Sequence, residues 1–136
     1  MFFKKDKNEN NDLSKVAALL IHAAKIDENF SKNEETIIKQ ALLKIGANNE
    51  NLEKIFLDGK KIEENSNQIL EFTKEVKNME ENDKIKIVET LWRIIYSNKE
   101  ADIYETSLMR RLGGLLYIDS KLMGDIKEKI RKEIIK

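Results

Sequence analysis

The chain contains no cysteine, no proline and one histidine, and each scarcity removes a class of function. Without cysteine there is no disulfide scaffold, no thiol nucleophile and no cysteine-ligated zinc. His22 alone cannot form a multi-histidine metal centre, and one histidine among many acids is not a Ser-His-Asp triad. A fold rich in strands places proline and glycine in its turns; five glycines and no proline favour long helices instead. No apolar run approaches the roughly 20 residues that span a bilayer. The opening MFFKKDKNENND lacks the apolar core of a secretory signal, so the cytoplasm is the expected compartment. An excess of charge of either sign is also missing. Lys+Arg and Asp+Glu number 25 each, which argues against a dedicated nucleic-acid binder.

What is abundant points one way. Charged residues make up 37% of the chain, and lysine, glutamate, isoleucine and leucine dominate, a composition of good helix formers. At 136 residues the chain is long enough for one domain with its own core. Residues 1–11 read as a frayed or disordered tail and residues 12–136 as a single all-α domain of about seven helices. The first helix is expected from a cap at Asn11 or Asp12, with Leu13, Val16, Leu20, Ala23 and Ala24 on one stripe. Ser31 to Glu34 has the spacing of a capping box, and Gly46 sits where a left-handed residue ends a helix at little cost. A third helix carries Leu52, Ile55 and Phe56 and fades near Asp58-Gly59. A fourth runs from about Ser66 with Ile69, Phe72, Val76 and Met79. Further helices open near Asn82 or Asp83, at Asp102 and at Asp119.

The halves repeat. A shift of 71 positions, the step from Asp27 to Asn98, lays Leu20 on Leu91, Ile21 on Trp92, Ala24 on Ile95 and Ile38 on Met109. It also pairs Ser31 with Asp102, Glu34 with Glu105, Asn48 with Asp119, Leu52 with Met123 and Ile55 with Ile126. Caps, loop length and three helices agree together, giving two three-helix units, residues 13–58 and 84–130, as pseudo-twofold mates.

The two interhelical loops, from Ala24 to Glu34 and from Tyr96 to Glu105, resemble the twice-repeated signature of the TerB family, named for tellurite resistance. The family's fold also forms the N-terminal domain of a DnaJ-like membrane co-chaperone. The resemblance covers roughly residues 12–130 and includes Leu91-Trp92-Arg93-Ile94-Ile95-Tyr96. It implies a TerB-like helical bundle without established catalytic activity, a suspected affinity for metal ions through acidic loops, and roles in protein complexes. The sequence departs from the pattern where the family has glycine after aspartate, with Glu28 and Lys99, and at Asn98 and Ala101. Asp27, Glu34 and Glu105 carry the acidic part of the motif.

Two binding chemistries follow. The first is a divalent cation held by Asp27, Glu34 and Glu105. Asp27, Asn29 and Ser31 alternate like the first ligands of an EF-hand, but Lys32 and Ile38 stand where its glycine and glutamate belong. Helix capping alone accounts for Ser31, Glu34, Asp102 and Glu105. The second is a protein partner contacting Arg93, Arg110 and Arg111, a basic cluster beside Trp92 and Tyr104. Trp92 itself, on an apolar stripe, reads as core. The Gly113-Gly114 pair lacks the rest of a phosphate loop and reads as a close-packing site. The helix from Lys121 to Lys136 has lysines outward, which admits a peripheral membrane contact, while its glutamates favour a solvated face. A non-enzymatic interaction module is the expected role.

Overall fold

A computed structural model describes residues 2–25, 31–65, 73–74, 76–97 and 103–134, with side chains over 13–25, 31–65, 73–74, 76–96 and 107–134. All regular structure among these residues is helical. Six helices are seen among them: α1 (Phe2–Ala24), α2 (Lys32–Ile45), α3 (Leu52–Asn65), α4 (Glu81–Ser97), α5 (Ile103–Leu115) and α6 (Ser120–Ile134). The expected helix from Ser66 falls mostly outside the described residues, although Thr73, Lys74 and Val76 are helical and Val76 is buried.

Local chemistry sets most boundaries. Ser31 Oγ accepts the Glu34 N–H at 3.1 Å and Glu34 Oε1 accepts the Ser31 N–H at 2.8 Å, a complete capping box at the start of α2. Asn48 Oδ1 accepts the N–H groups of Glu50 and Asn51, both at 2.9 Å, leading into α3. Gly46 closes α2 at a φ of 150°, in the region that favours glycine.

Two boundaries differ from the sequence reading. α1 begins at Phe2 rather than at Asn11 or Asp12, since no proline or glycine precedes Gly46 to interrupt it. α3 does not fade at Asp58-Gly59 but continues to Asn65. Gly59 is a contact point and not a stop. A Cβ there would stand 2.6 Å from Ala17 Cβ, 3.0 Å from the Ser14 carbonyl oxygen and 3.1 Å from the Ala18 nitrogen. α1 and α3 therefore meet backbone to backbone, which only glycine permits.

The duplication is visible in the backbone. The Ala47 N–H bonds to the Leu42 carbonyl at 2.9 Å, and 71 residues on the Ile118 N–H bonds to the Gly113 carbonyl at 2.9 Å. Leu52 to Asn48 and Met123 to Asp119 form another matched pair, again both 2.9 Å. Gly46 and Tyr117, the matched residues after α2 and α5, both have positive φ, 150° and 57°. Within the first unit α1 packs most extensively on α3, and within the second α4 packs on α6. The α1–α4 and α2–α4 contacts join the units. Leu20, Ile21, Ile38, Leu42, Leu91, Ile94 and Ile95 are fully buried in one continuous core. Each contributes about 1.5–3 kcal/mol relative to exposure. Among the described residues no helix is long and apolar enough to cross a membrane.

Candidate functional site

The acidic turns come first, since sequence reasoning placed metal ligands there. Glu34 is buried, and its Oε1 is already engaged by the capping box. Its Oε2 is buried without a hydrogen-bond partner among the described residues. Asp27 lies outside the described residues, and Glu105 falls in α5 with its side chain outside them. Among the described residues no group of three acids or histidines is placed to hold a metal ion. His22 is half-exposed, with Nδ1 3.3 Å from Glu63 Oε2, while Lys25 donates to Glu63 Oε1 at 2.6 Å. That cluster ties α1 to α3 around a buried carboxylate.

The three arginines have different surroundings. Arg93 donates from Nε and Nη2 to the two carboxylate oxygens of Glu133, at 2.9 and 3.3 Å, and so clamps α4 to α6. The hydrogen bond to Glu133 and its charge raise the Arg93 pKa above the usual guanidinium value. The same contact holds Glu133 below the usual carboxylate value. Arg111 is exposed on α5. Arg110, its neighbour, lines a cleft.

This cleft lies between α5 and α6, over α4, and has a volume of about 390 Å³. Its apolar walls come from Trp92, Met109, Ile118 and Met123. Three glycines, Gly113, Gly114 and Gly124, keep it open. At Gly114 and Gly124 an added Cβ would touch nothing within 4 Å, and at Gly113 it would meet only the flexible Met123 side chain, at 3.3 Å. The Gly113-Gly114 pair is thus no close helix crossing: α5 and α6 do not approach there as α1 and α3 do at Gly59. Arg110 and Lys127 supply the charged lining, and no acid joins them. Lys127 Nζ sits 5.3 Å from the centre of the Trp92 ring, which stacks on Tyr96 at 5.8 Å. Trp92 is 4% exposed, as its apolar helix stripe predicted, yet its buried Nε1 has no hydrogen-bond partner among the described residues.

At the matched positions the first unit carries larger side chains. Leu42 stands where the second has Gly113, Phe56 where it has Lys127, and Glu53 where it has Gly124. Leu42 and Phe56 are buried at 0% and 2% exposure, so the seam between α2 and α3 is filled from within. Lys39, the counterpart of Arg110, lies 4.8 Å above the Phe56 ring and donates to Glu53 at 2.6 Å and to Glu35 at 3.2 Å. The Glu53 hydrogen bond, chiefly, raises the Lys39 pKa. Arg110 has neither counterpart: an aromatic and an acid have become Lys127 and Gly124. Sequence reasoning missed this cleft because it aligned the repeats by what agrees. The signal was in the same alignment, at the positions that disagree.

Comparison with known proteins bears on the fold. A family model described as "Tellurite resistance protein TerB" matches residues 13–128. No curated protein and no solved structure matches. The matched span begins at Leu13, the first buried residue of α1 among those with described side chains, and takes in the first three-helix unit and the second up to residue 128 in α6. With most of the chain matched, the chain belongs to the TerB family.

Proposed function

We propose that this chain is a non-catalytic protein-interaction module whose docking site is the cleft between α5 and α6. One observation carries the reading: the second unit has an open cleft along Gly114 and Gly124, where the first, built on the same register, carries Leu43 and Glu53 beside the buried Leu42 and Phe56. A cleft of about 390 Å³ lies in the size range of ligand and side-chain pockets. Its aromatic wall, two methionines and an arginine are residue types that anchor partners and adapt to them. The test is selection of a displayed random peptide library on the wild-type chain and on a Gly114→Leu/Gly124→Leu double variant. Both glycines line the cleft and an added Cβ at either meets nothing within 4 Å, so the larger side chains are added there to obstruct it. Peptides enriched on the wild type should be lost on the variant. Equal enrichment on both would remove the cleft as the docking site.

A second reading is favoured by Glu34 Oε2, a buried carboxylate oxygen without a hydrogen-bond partner among the described residues. A divalent cation shared by Asp27, Glu34 and Glu105 would satisfy it. A cation that binds only the folded chain raises its melting temperature by mass action. An unchanged melting temperature in millimolar Ca²⁺, Mg²⁺, Mn²⁺ or Zn²⁺ would end this reading.

A further inference from the structure

The first unit also indicates what the second lacks. Around Lys39 it gathers a carboxylate from Glu53 and an aromatic ring from Phe56, and the matched cation in the second unit, Arg110, has neither. Arg110 lies on an apolar cleft with Lys127, and no carboxylate is among the described residues that line it. The whole chain has no net charge, so a cleft whose described charged lining is two cations is a local feature rather than a general surplus. On this basis, and resting on the docking reading above, we propose that the cleft takes an acidic segment of a partner protein. The segment inserts a bulky apolar side chain, aromatic or leucine, over Trp92 and sets an adjacent carboxylate on Arg110. The inserted side chain supplies the apolar group that Phe56 provides in the first unit, and the carboxylate supplies what Glu53 does there. α6 already occupies the place of α3, so the segment delivers side chains into the gap and does not add a helix to the bundle. Burying the apolar group supplies affinity, and the charge-assisted hydrogen bond to a guanidinium supplies selection against basic segments.

The test uses the full chain, amide NMR, and three short capped peptides: phenylalanine flanked by glutamates, phenylalanine flanked by lysines, and alanine flanked by glutamates. The first should shift the Gly113, Gly114 and Gly124 amides and the Trp92 indole signal. The other two should bind at least about tenfold more weakly, the scale of one lost charged or aromatic anchor. Arg110→Glu should reverse the preference between the glutamate and lysine peptides. Gly124→Glu, which restores the acid of the first unit beside Arg110, should weaken the glutamate–phenylalanine peptide about tenfold while leaving Arg110 in place. Both changes fall at exposed positions, so folding is preserved. Equal binding of the glutamate and lysine peptides at the cleft would overturn the acidic specification and leave the docking reading standing. So would failure of all three peptides when library peptides that need the open cleft are found. Vesicles of phosphatidylglycerol that broaden the same signals, with no effect of peptide, would replace the protein segment by a lipid surface. Failure of the designed and library peptides together would remove both proposals.

Discussion

The two halves of this chain share a register but solve the space between their second and third helices differently. In the first, Leu42 and Phe56 close the seam and Lys39 is saturated by Glu35, Glu53 and an aromatic face. In the second, glycines at 113, 114 and 124 open it, and Arg110 and Lys127 look onto the opening. The outer helices differ in the opposite sense. α1 and α3 touch through Gly59 against Ala17 and Ala18, whereas the matched positions of α4 and α6 carry the larger Ile130 against Val88 and Glu89. Small residues thus bring one pair of helices together and hold another pair's seam open. Whether a glycine marks contact or vacancy depends on what faces it.

Exchanging residues across the register tests that difference. The largest effect is expected at Leu42. Leu42→Ala should cost about 2–5 kcal/mol in denaturant unfolding, the range for truncating a buried leucine. Its counterpart Gly113→Ala should change stability by no more than about 1 kcal/mol, because only the flexible Met123 side chain must give way. Equal costs at the two sites would mean that the second seam is as tightly packed as the first. Next comes Gly59→Ala, expected to cost about 1–3 kcal/mol, since the new methyl meets backbone at 3.0 and 3.1 Å. A neutral result there would show that α1 and α3 can slide apart freely. Gly124→Ala, inside α6 and facing open space, should instead raise stability by about 0.5–1 kcal/mol through helix propensity. A loss would place something against that residue.

The smallest effect belongs to the Arg93–Glu133 clamp, which the first unit does not reproduce. The counterparts of Arg93 and Glu133 are His22 and Ile62, and His22 meets Glu63 on α3 instead. The folded-state pKa of Glu133 is lowered, so its contribution is present above the unfolded carboxylate value and is lost as pH falls through the folded one. Both groups are partly exposed, and the contribution should stay below about 1 kcal/mol. Comparing wild type with Glu133→Gln by thermal melts should show the difference near neutral pH and its disappearance in acid below the ordinary carboxylate range. A gap that persists in acid would assign the effect to packing.

Much of the fold was legible because it is written in local chemistry. The Ser31–Glu34 box, the Gly46 stop and the 3–4 spacing of Leu20, Leu91 and their neighbours act within one helix or one turn, and a shift of 71 residues exposes the repeat. The start of α1 at Phe2 was not, since a polar residue such as Asn11 reads as a cap until the chain before it is seen to continue the helix. Gly59 was misread for a related reason: a glycine late in a helix resembles an ending, and the approach of Ala17 is a tertiary fact. The candidate site was half legible. Arg110 and Trp92 were singled out as a patch, but Arg93 proved to be committed to Glu133, and the cleft needed Gly124 and Met123 from another helix.

The chain's single tryptophan has a consequence for how its folding is followed. Trp92 belongs to α4 and is covered by Lys127 of α6, so its emission reports the second unit, whereas circular dichroism sums all helices. Coincident unfolding curves from the two probes are the ordinary signature of all-or-none behaviour. In this chain, an emission change that precedes the loss of helix would measure how loosely the open unit is coupled to the filled one.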